Sequence, residues 1–237
     1  MRCQAGYGQV IMDTTFNNPA LAEKSRVIVF EDSHFDYFFS QANEKNEYSL
    51  SFDVKEGRNV DINIIDFSPS KLTLNLEVNL PFSSHANIQV ASVCFDSGDK
   101  VVSVNVNHLG EKSFSRTTMA GINVGSQSMK FLGSSFIKNG AHGSDTRQEG
   151  KITNLSENAK SEVSPSLLIK ENDVKASHGA ALGAYNPDIL YYLMSRGLSE
   201  GESKKLITYG NLLPIIESLG NKELVEQAKE VLRGIAL

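Results

Sequence analysis

A mainly β chain that finishes in a small helical portion is what the sequence predicts, on three observations. From Arg26 onward, apolar residues recur with period two. Turn residues break these runs at short intervals, with no helical pattern between them. From residue 186 the signals become helix caps and apolar spacings of three and four. Short connections exclude a parallel α/β sheet, whose crossovers need helices. They leave an antiparallel sandwich or barrel, or a β-solenoid whose coils stack in order. Strand-turn units recur, but no crisp sequence repeat selects the solenoid.

Taken in order, residues 1–25 carry little pattern: Gly6, Gly8 and Asn17-Asn18-Pro19 are turn material, and Ala20–Lys24 is too short to hold as a helix. Arg26–Phe30, Tyr48–Val54, Val60–Phe67, Leu72–Leu80, Ile88–Phe95 and Val101–Val106 read as strands. In the fourth of these, Leu72, Leu74, Leu76 and Val78 share one face, and Thr73, Asn75 and Glu77 share the other. Turns are expected at Glu56–Asn59, Ser68–Ser70, Asp96–Asp99 and His108–Glu111. Ser113–Ala120 and Ser128–Ile137 continue the β character. Ile152–Asn158 and Val163–Ile169 follow, with Ser164-Pro165 read as a strand start because proline cannot donate to a central ladder. Asn172-Asp173 is read as closing the last β segment.

The helices have explicit signals. Asn186-Pro187 gives an N-cap and a first-turn proline for a helix to Ser195, stopped by Gly197 as a left-handed cap. Ser199 and Glu202 form a capping box for a second helix, which Gly210 or Pro214 should kink or end. Residues 221–234 place Leu224, Val225, Ala228, Val231 and Leu232 at helical spacing.

The chain has 237 residues, a net charge of −5 and a pI near 5.6. An acidic balance argues against a nucleic-acid binder, which needs a basic face. No apolar run reaches membrane-spanning length, and the first residues lack a signal-peptide pattern, so a cytoplasmic protein is expected. Cys3 and Cys94 make neither a disulfide framework nor a metal-binding pair. Cys94 reads as a small buried hydrophobe. His34, His85, His108 and His142 lack ligand spacing and read as surface or turn residues. No glycine loop with lysine and serine or threonine suits a nucleotide phosphate.

One stretch is more specific. Asp173-Val174-Lys175-Ala176-Ser177-His178-Gly179-Ala180, then Gly183, leads into Leu190–Leu193 and Ser195-Arg196-Gly197-Leu198-Ser199-Glu200. Upstream stand Gly140-Ala141, Ser144-Asp145, Gln148, Leu155-Ser156, Ala159 and Pro165. This string resembles the SUF scaffold family (SufB and SufD) of iron–sulfur cluster assembly, specifically over residues 128–210 and in character only over 26–127. Glycine follows the motif histidine where SufB-type members carry glutamate. Glu149 and Gly150 follow Gln148 where those members place a reactive cysteine. Both departures point to SufD, although SufD-type members usually carry cysteine where this chain has Ala176.

The resemblance implies a right-handed parallel β-helix with a small C-terminal α-helical domain. The expected boundaries are an irregular segment 1–25, a β-helix core 26–183 and a helical domain 184–237. It implies a non-catalytic scaffold that binds a SufC-type ATPase through its helices, with Tyr192, Arg196 and Ser199 facing that partner. The last β strands would meet a SufB-type chain or a second copy. His178 would be a metal-ligand candidate for a transient iron–sulfur cluster at that interface, with no cofactor held stably; neutral imidazole can ligate iron. The bland alternative for His178 is a turn histidine bonded to nearby backbone. For the helices it is that Tyr191, Tyr192 and Leu206 only cover the open end of the β domain. Two rival functions stay open. One is a carbohydrate-active enzyme, whose paired carboxylates would have to be Asp61 and Asp66, or Glu77 and Asp96. The other is a β-sandwich interaction module.

Overall fold

The computed structural model describes residues 14–17, 24–41 and 46–235. Among these described residues, thirteen strands precede three helices. The odd strands β1 (Thr14–Asn17), β3 (Ser33–Phe39), β5 (Asn59–Asp66), β7 (His85–Cys94), β9 (Phe114–Asn123), β11 (Ser144–Asn154) and β13 (Val174–Ala184) form one sheet in that order. The even strands β2 (Lys24–Val29), β4 (Glu47–Val54), β6 (Leu72–Leu80), β8 (Lys100–His108), β10 (Ser128–Ile137) and β12 (Lys160–Ile169) form the other. Neighbours within each sheet are parallel and two strands apart in sequence. The chain therefore alternates between two facing sheets and climbs one coil at a time: a parallel β-solenoid, not a sandwich of antiparallel strands.

The lumen between the sheets is filled by the inward residue of each alternating pair. In β6 the leucines and Val78 are buried while Asn75 and Glu77 are exposed, as period two requires. The core stacks in register, so that Phe52 lies beside Val78 and Val78 beside Val106.

The helices α1 (Pro187–Ser195), α2 (Glu200–Ile216) and α3 (Lys222–Gly234) follow the last strand. Helices α2 and α3 lie on the outer face of the odd-numbered sheet. Leu212, Ile215 and Ile216 of α2, with Leu224, Ala228 and Leu232 of α3, close over Phe38, Ile65, Ala91, Val93 and Ile122. The Tyr185 hydroxyl pins the end of β13 to α2 through Thr208 Oγ1 at 2.9 Å.

Several elements depart from expectation, each for a physical reason. β3 was missed because its outward side is also covered by helices, so SHFDYFF ends in a continuous buried run. Ser144–Asn154 is one strand where a strand was expected only at 152–158, because its inward residues Ser144, Thr146 and Gln148 are polar and hide the period. The β region does not close at Asn172-Asp173; it adds β13. Pro165 sits inside β12 rather than at its start, tolerated because β12 is an edge strand. Helix α2 runs through both Gly210 and Pro214, carried by the buried contacts of Leu212, Ile215 and Ile216. A strand at Thr14–Asn17 falls within the segment expected to be irregular; residues 1–13 and 18–23, with Cys3 and most of Ala20–Lys24, lie outside the described residues.

The helix caps are as expected. Asn186 accepts from the Asp188 N–H, Gly197 takes φ +95°, and Ser199 and Glu202 close a reciprocal capping box.

Candidate functional site

Among the described residues no coil lies above the last one, and that is what makes a site. In register, Thr146 pairs with Ala176, Gln148 with His178, Gly150 with Ala180, and Ile152 with Leu182. The β11 members of these pairs are buried and inward-facing, so the β13 members face the lumen too. On the other side, buried Phe131, Gly133, Ser135 and Ile137 pair with Val163, Pro165, Leu167 and Ile169. The lumen-facing residues of β12 and β13 thus form an open mouth. They are small or apolar apart from Ser161 and His178, the one ionisable group among them. Leu182 is 52% exposed and Ile169 44%. β12 and β13 are also the last strands of their sheets, each with one unpaired edge.

His178 is accordingly an exposed residue in mid-strand, not a turn histidine. Tyr192 and Arg196 lie elsewhere, the first on α1 and the second at its C-cap, and α1 buries none of its residues. The Arg196 guanidinium stacks over the Tyr192 ring at 5.2 Å, so these two are brought together. Ser199 is not available in the same way, since its hydroxyl and N–H are held by Glu202. Tyr191 is 75% exposed and Leu206 50%, so neither covers the end of the solenoid, and the capping role considered for them is set aside. Between α2 and α3 a groove is lined by Leu198, Leu206, Tyr209 and Leu232, with Glu202, Lys205 and Arg233 also in its lining.

Sequence reasoning missed three polar clusters. His108 is fully buried, not a surface residue. Its ring nitrogens bond Ser113 Oγ at 2.8 Å and Ser115 Oγ at 2.9 Å, and burial lowers its pKa to about 4. His34 is half-buried and bonds Asp36 at 2.7 Å; that bond, then Asp61, raises its pKa to about 10. Lys100 and Asp66 are both fully buried, 3.0 Å apart. A turn-like DSGDK or an isolated histidine carries no local signal for any of these. His85 and His142 are exposed, as expected.

Cys94 is a buried free thiol whose pKa burial pushes up to about 12, which suits a small hydrophobe and not a nucleophile. Asp66 is consumed by Lys100, and Asp61 interacts with His34. Glu77 accepts from Asn107, and Asp96 holds the Ser126 turn. Each of the four carboxylates considered for a glycosidase thus has a structural partner. No helix among the described residues is long and apolar enough to cross a membrane.

Residues 5–211 match the family described as "SUF system FeS cluster assembly, SufBD core domain". The iron–sulfur cluster assembly protein SufD of Bacillus subtilis is 37% identical over 125 residues, 53% of this chain and 29% of that protein. SufD of Escherichia coli is 31% identical over 85 residues, 34% of this chain and 20% of its own length. A SufBD family protein of Mycobacterium leprae is 29% identical over 157 residues, 63% of this chain and 18% of its own. The matched stretches thus span less than a third of each of these relatives. With a parallel solenoid, a histidine at its open mouth and a trailing helical segment, the chain belongs to the SufBD core-domain family of iron–sulfur cluster assembly proteins and is SufD-like within it.

Proposed function

We propose that this chain is a scaffold subunit that offers its open mouth to a SufB-type chain and its bare helix α1 to a SufC-type ATPase. The observation that carries this is the uncovered last coil, where lumen-facing apolar residues surround one histidine. A solenoid end of this kind exposes unpaired strand edges and half a core, and a second coil end covers both at once. His178 would supply one ligand to a cluster assembled between the two chains, the cluster being cargo and the remaining ligands the partner's. A neutral imidazole is a competent iron ligand. The buried Cys94 thiol and the absence of cysteine after Gln148 support assigning sulfur acceptance to the partner. The chain then acts without chemistry of its own, in the cytoplasm, and ATP-driven movement of α1 would reach the mouth through β13, which α1 directly follows.

The test is His178→Ala in the assembled complex. Because the side chain is exposed, folding and complex formation should persist while cluster yield drops by at least about tenfold, as when a ligand is removed. Unchanged cluster yield would sink the ligand role. Co-purification of the SufC-type ATPase and a cysteine-bearing sister chain, against recovery of a second copy alone, decides between hetero- and homodimer.

A further inference from the structure

We infer that Gln148 is a positioning residue for the terminal coil that bears His178, and that it heads a one-way hydrogen-bond chain fixing buried His108 as the Nδ1–H tautomer. Its biological meaning rests on the proposed role of His178; its geometry does not.

Gln148 is buried and sits one coil beneath His178, in register with it. Its side chain crosses the lumen. Nε2 donates to the Ser166 carbonyl of β12 at 3.0 Å and to Ser135 Oγ of β10 at 2.6 Å. Gly133 makes this possible, since a Cβ there would stand 2.4 Å from Gln148 Oε1. Three strands are thereby tied together, among them the half of the terminal coil that lies opposite His178.

The direction of the chain follows from what each group can do. A carbonyl only accepts, so the amide is oriented with Nε2 toward Ser166, and its other N–H goes to Ser135. Ser135 then gives its proton to Thr146 Oγ1 at 2.9 Å. Thr146, already accepting, donates to Ser115 Oγ at 2.8 Å. Ser115 donates to His108 Nε2 at 2.9 Å, which leaves Nδ1 to carry hydrogen and donate to Ser113 Oγ at 2.8 Å. Ser113 ends the chain on the Gly110 carbonyl at 3.0 Å. Burial keeps the imidazole neutral, as an Nε2 that accepts must be. The earlier lumen is filled by Phe52, Ile62, Leu76 and Val104, so this polar track is confined to the coils nearest the mouth. The directional bonds specify one arrangement where apolar filling would allow several, and Gln148 Oε1 is left without a partner beside Gly133.

The experiment is long-range ¹H–¹⁵N spectroscopy of the histidines in the full chain at neutral pH, with His108→Gln for assignment. The wild type should show His108 only as Nδ1–H. Gln148→Glu should invert it to Nε2–H. In either protonation state the carboxyl accepts from Ser135, and every donor downstream turns round. Gln148→Leu removes the head of the chain and should give both tautomers, with β12 amides exchanging about tenfold faster than in the wild type and β6 amides unchanged. Wild-type Nε2–H, an uninverted Gln148→Glu spectrum, or equal β12 exchange would each overturn the inference; the first needs no variant to fold. All readouts are on the chain alone. If His178→Ala leaves cluster yield intact while the tautomer inverts, the proposed function fails and the positioning role of Gln148 stands.

Discussion

His34 holds the α2–α3 turn against the first coils of the solenoid. Its protonated Nε2 donates to Asp36 Oδ1, and the Gly220 N–H then donates to Asp36 Oδ2 at 2.9 Å. Asn63 adds bonds to Asp36 and to the Ser218 carbonyl. Burial alone would raise the Asp36 pKa, but the hydrogen bonds from His34 and Asn63 outweigh it and hold the carboxyl below its usual range. Since the His34 pKa is raised from 6.5 to about 10, its contribution is complete below pH 6.5 and lost as pH rises through about 10. The Asp36 share runs the other way and is lost only as acid reaches its lowered pKa. The melting-temperature gap between wild type and His34→Ala should therefore be widest near pH 6 and close toward pH 10; a gap independent of pH would contradict the clasp. Lys100 is a second case. Its ammonium meets Asp66 at 3.0 Å, the Ser68 carbonyl at 2.8 Å and Ser68 Oγ at 2.9 Å, while Ser92 also donates to Asp66. Removing one partner strands a buried charge, so Asp66→Ala should cost about 3–5 kcal/mol in denaturant unfolding. Adding Lys100→Met should recover much of that, because a neutral side chain no longer needs a counter-charge. Neither cluster was legible in the sequence, where the partners stand 34 residues apart for Lys100 and Asp66 and 184 apart for Asp36 and Gly220.

Among the helices, α1 differs from α2 and α3 by burying nothing. Its cap and stop are local and were legible from Asn186, Pro187 and Gly197. Its bare state was not, because Ile189, Tyr192 and Leu193 fall on one side like the apolar stripe of a packed helix. Substituting an exposed side chain costs little, so Tyr192→Asp should leave stability within about 0.5 kcal/mol of wild type. If α1 docks the ATPase, the same variant should weaken co-purification by about tenfold or more, as loss of an aromatic anchor does. Retained binding would move the docking face to the neighbouring groove of Leu198, Leu206, Tyr209 and Leu232. Strand legibility followed the same rule of exposure. β4, β6 and β8 have a wet outer face and alternate cleanly. β3 is dry on both faces toward its end and β11 is polar on the inside, so each lost the pattern for a different reason.

For the whole molecule, the consequence of stacking is that ends are unlike middles. A coil in the middle is paired on both edges and packed above and below. The last coil is paired on one edge only, and its lumen residues are left facing outward. Ala180 is exposed and lumen-facing, so Ala180→Glu should leave the melting temperature unchanged. If the mouth docks a SufB-type chain, the same variant should abolish that association by burying an unpaired charge at the seam. Size-exclusion chromatography of the mixed chains reads this directly, and undiminished complex would exclude the mouth as the interface.

Period-two runs, turn residues and helix caps are local, so the sequence by itself determined that strands come first and helices last, and where the helices begin. The motif around His178 carried the family through resemblance. Local pattern could not say whether strands pair with their neighbours or with the next but one. That choice belongs to stacking, which only the tertiary structure decided. The same holds for which faces are covered twice and which residues meet across the lumen. Burial and pairing over 30 or more residues are properties of the assembled coils, and no window of sequence contains them.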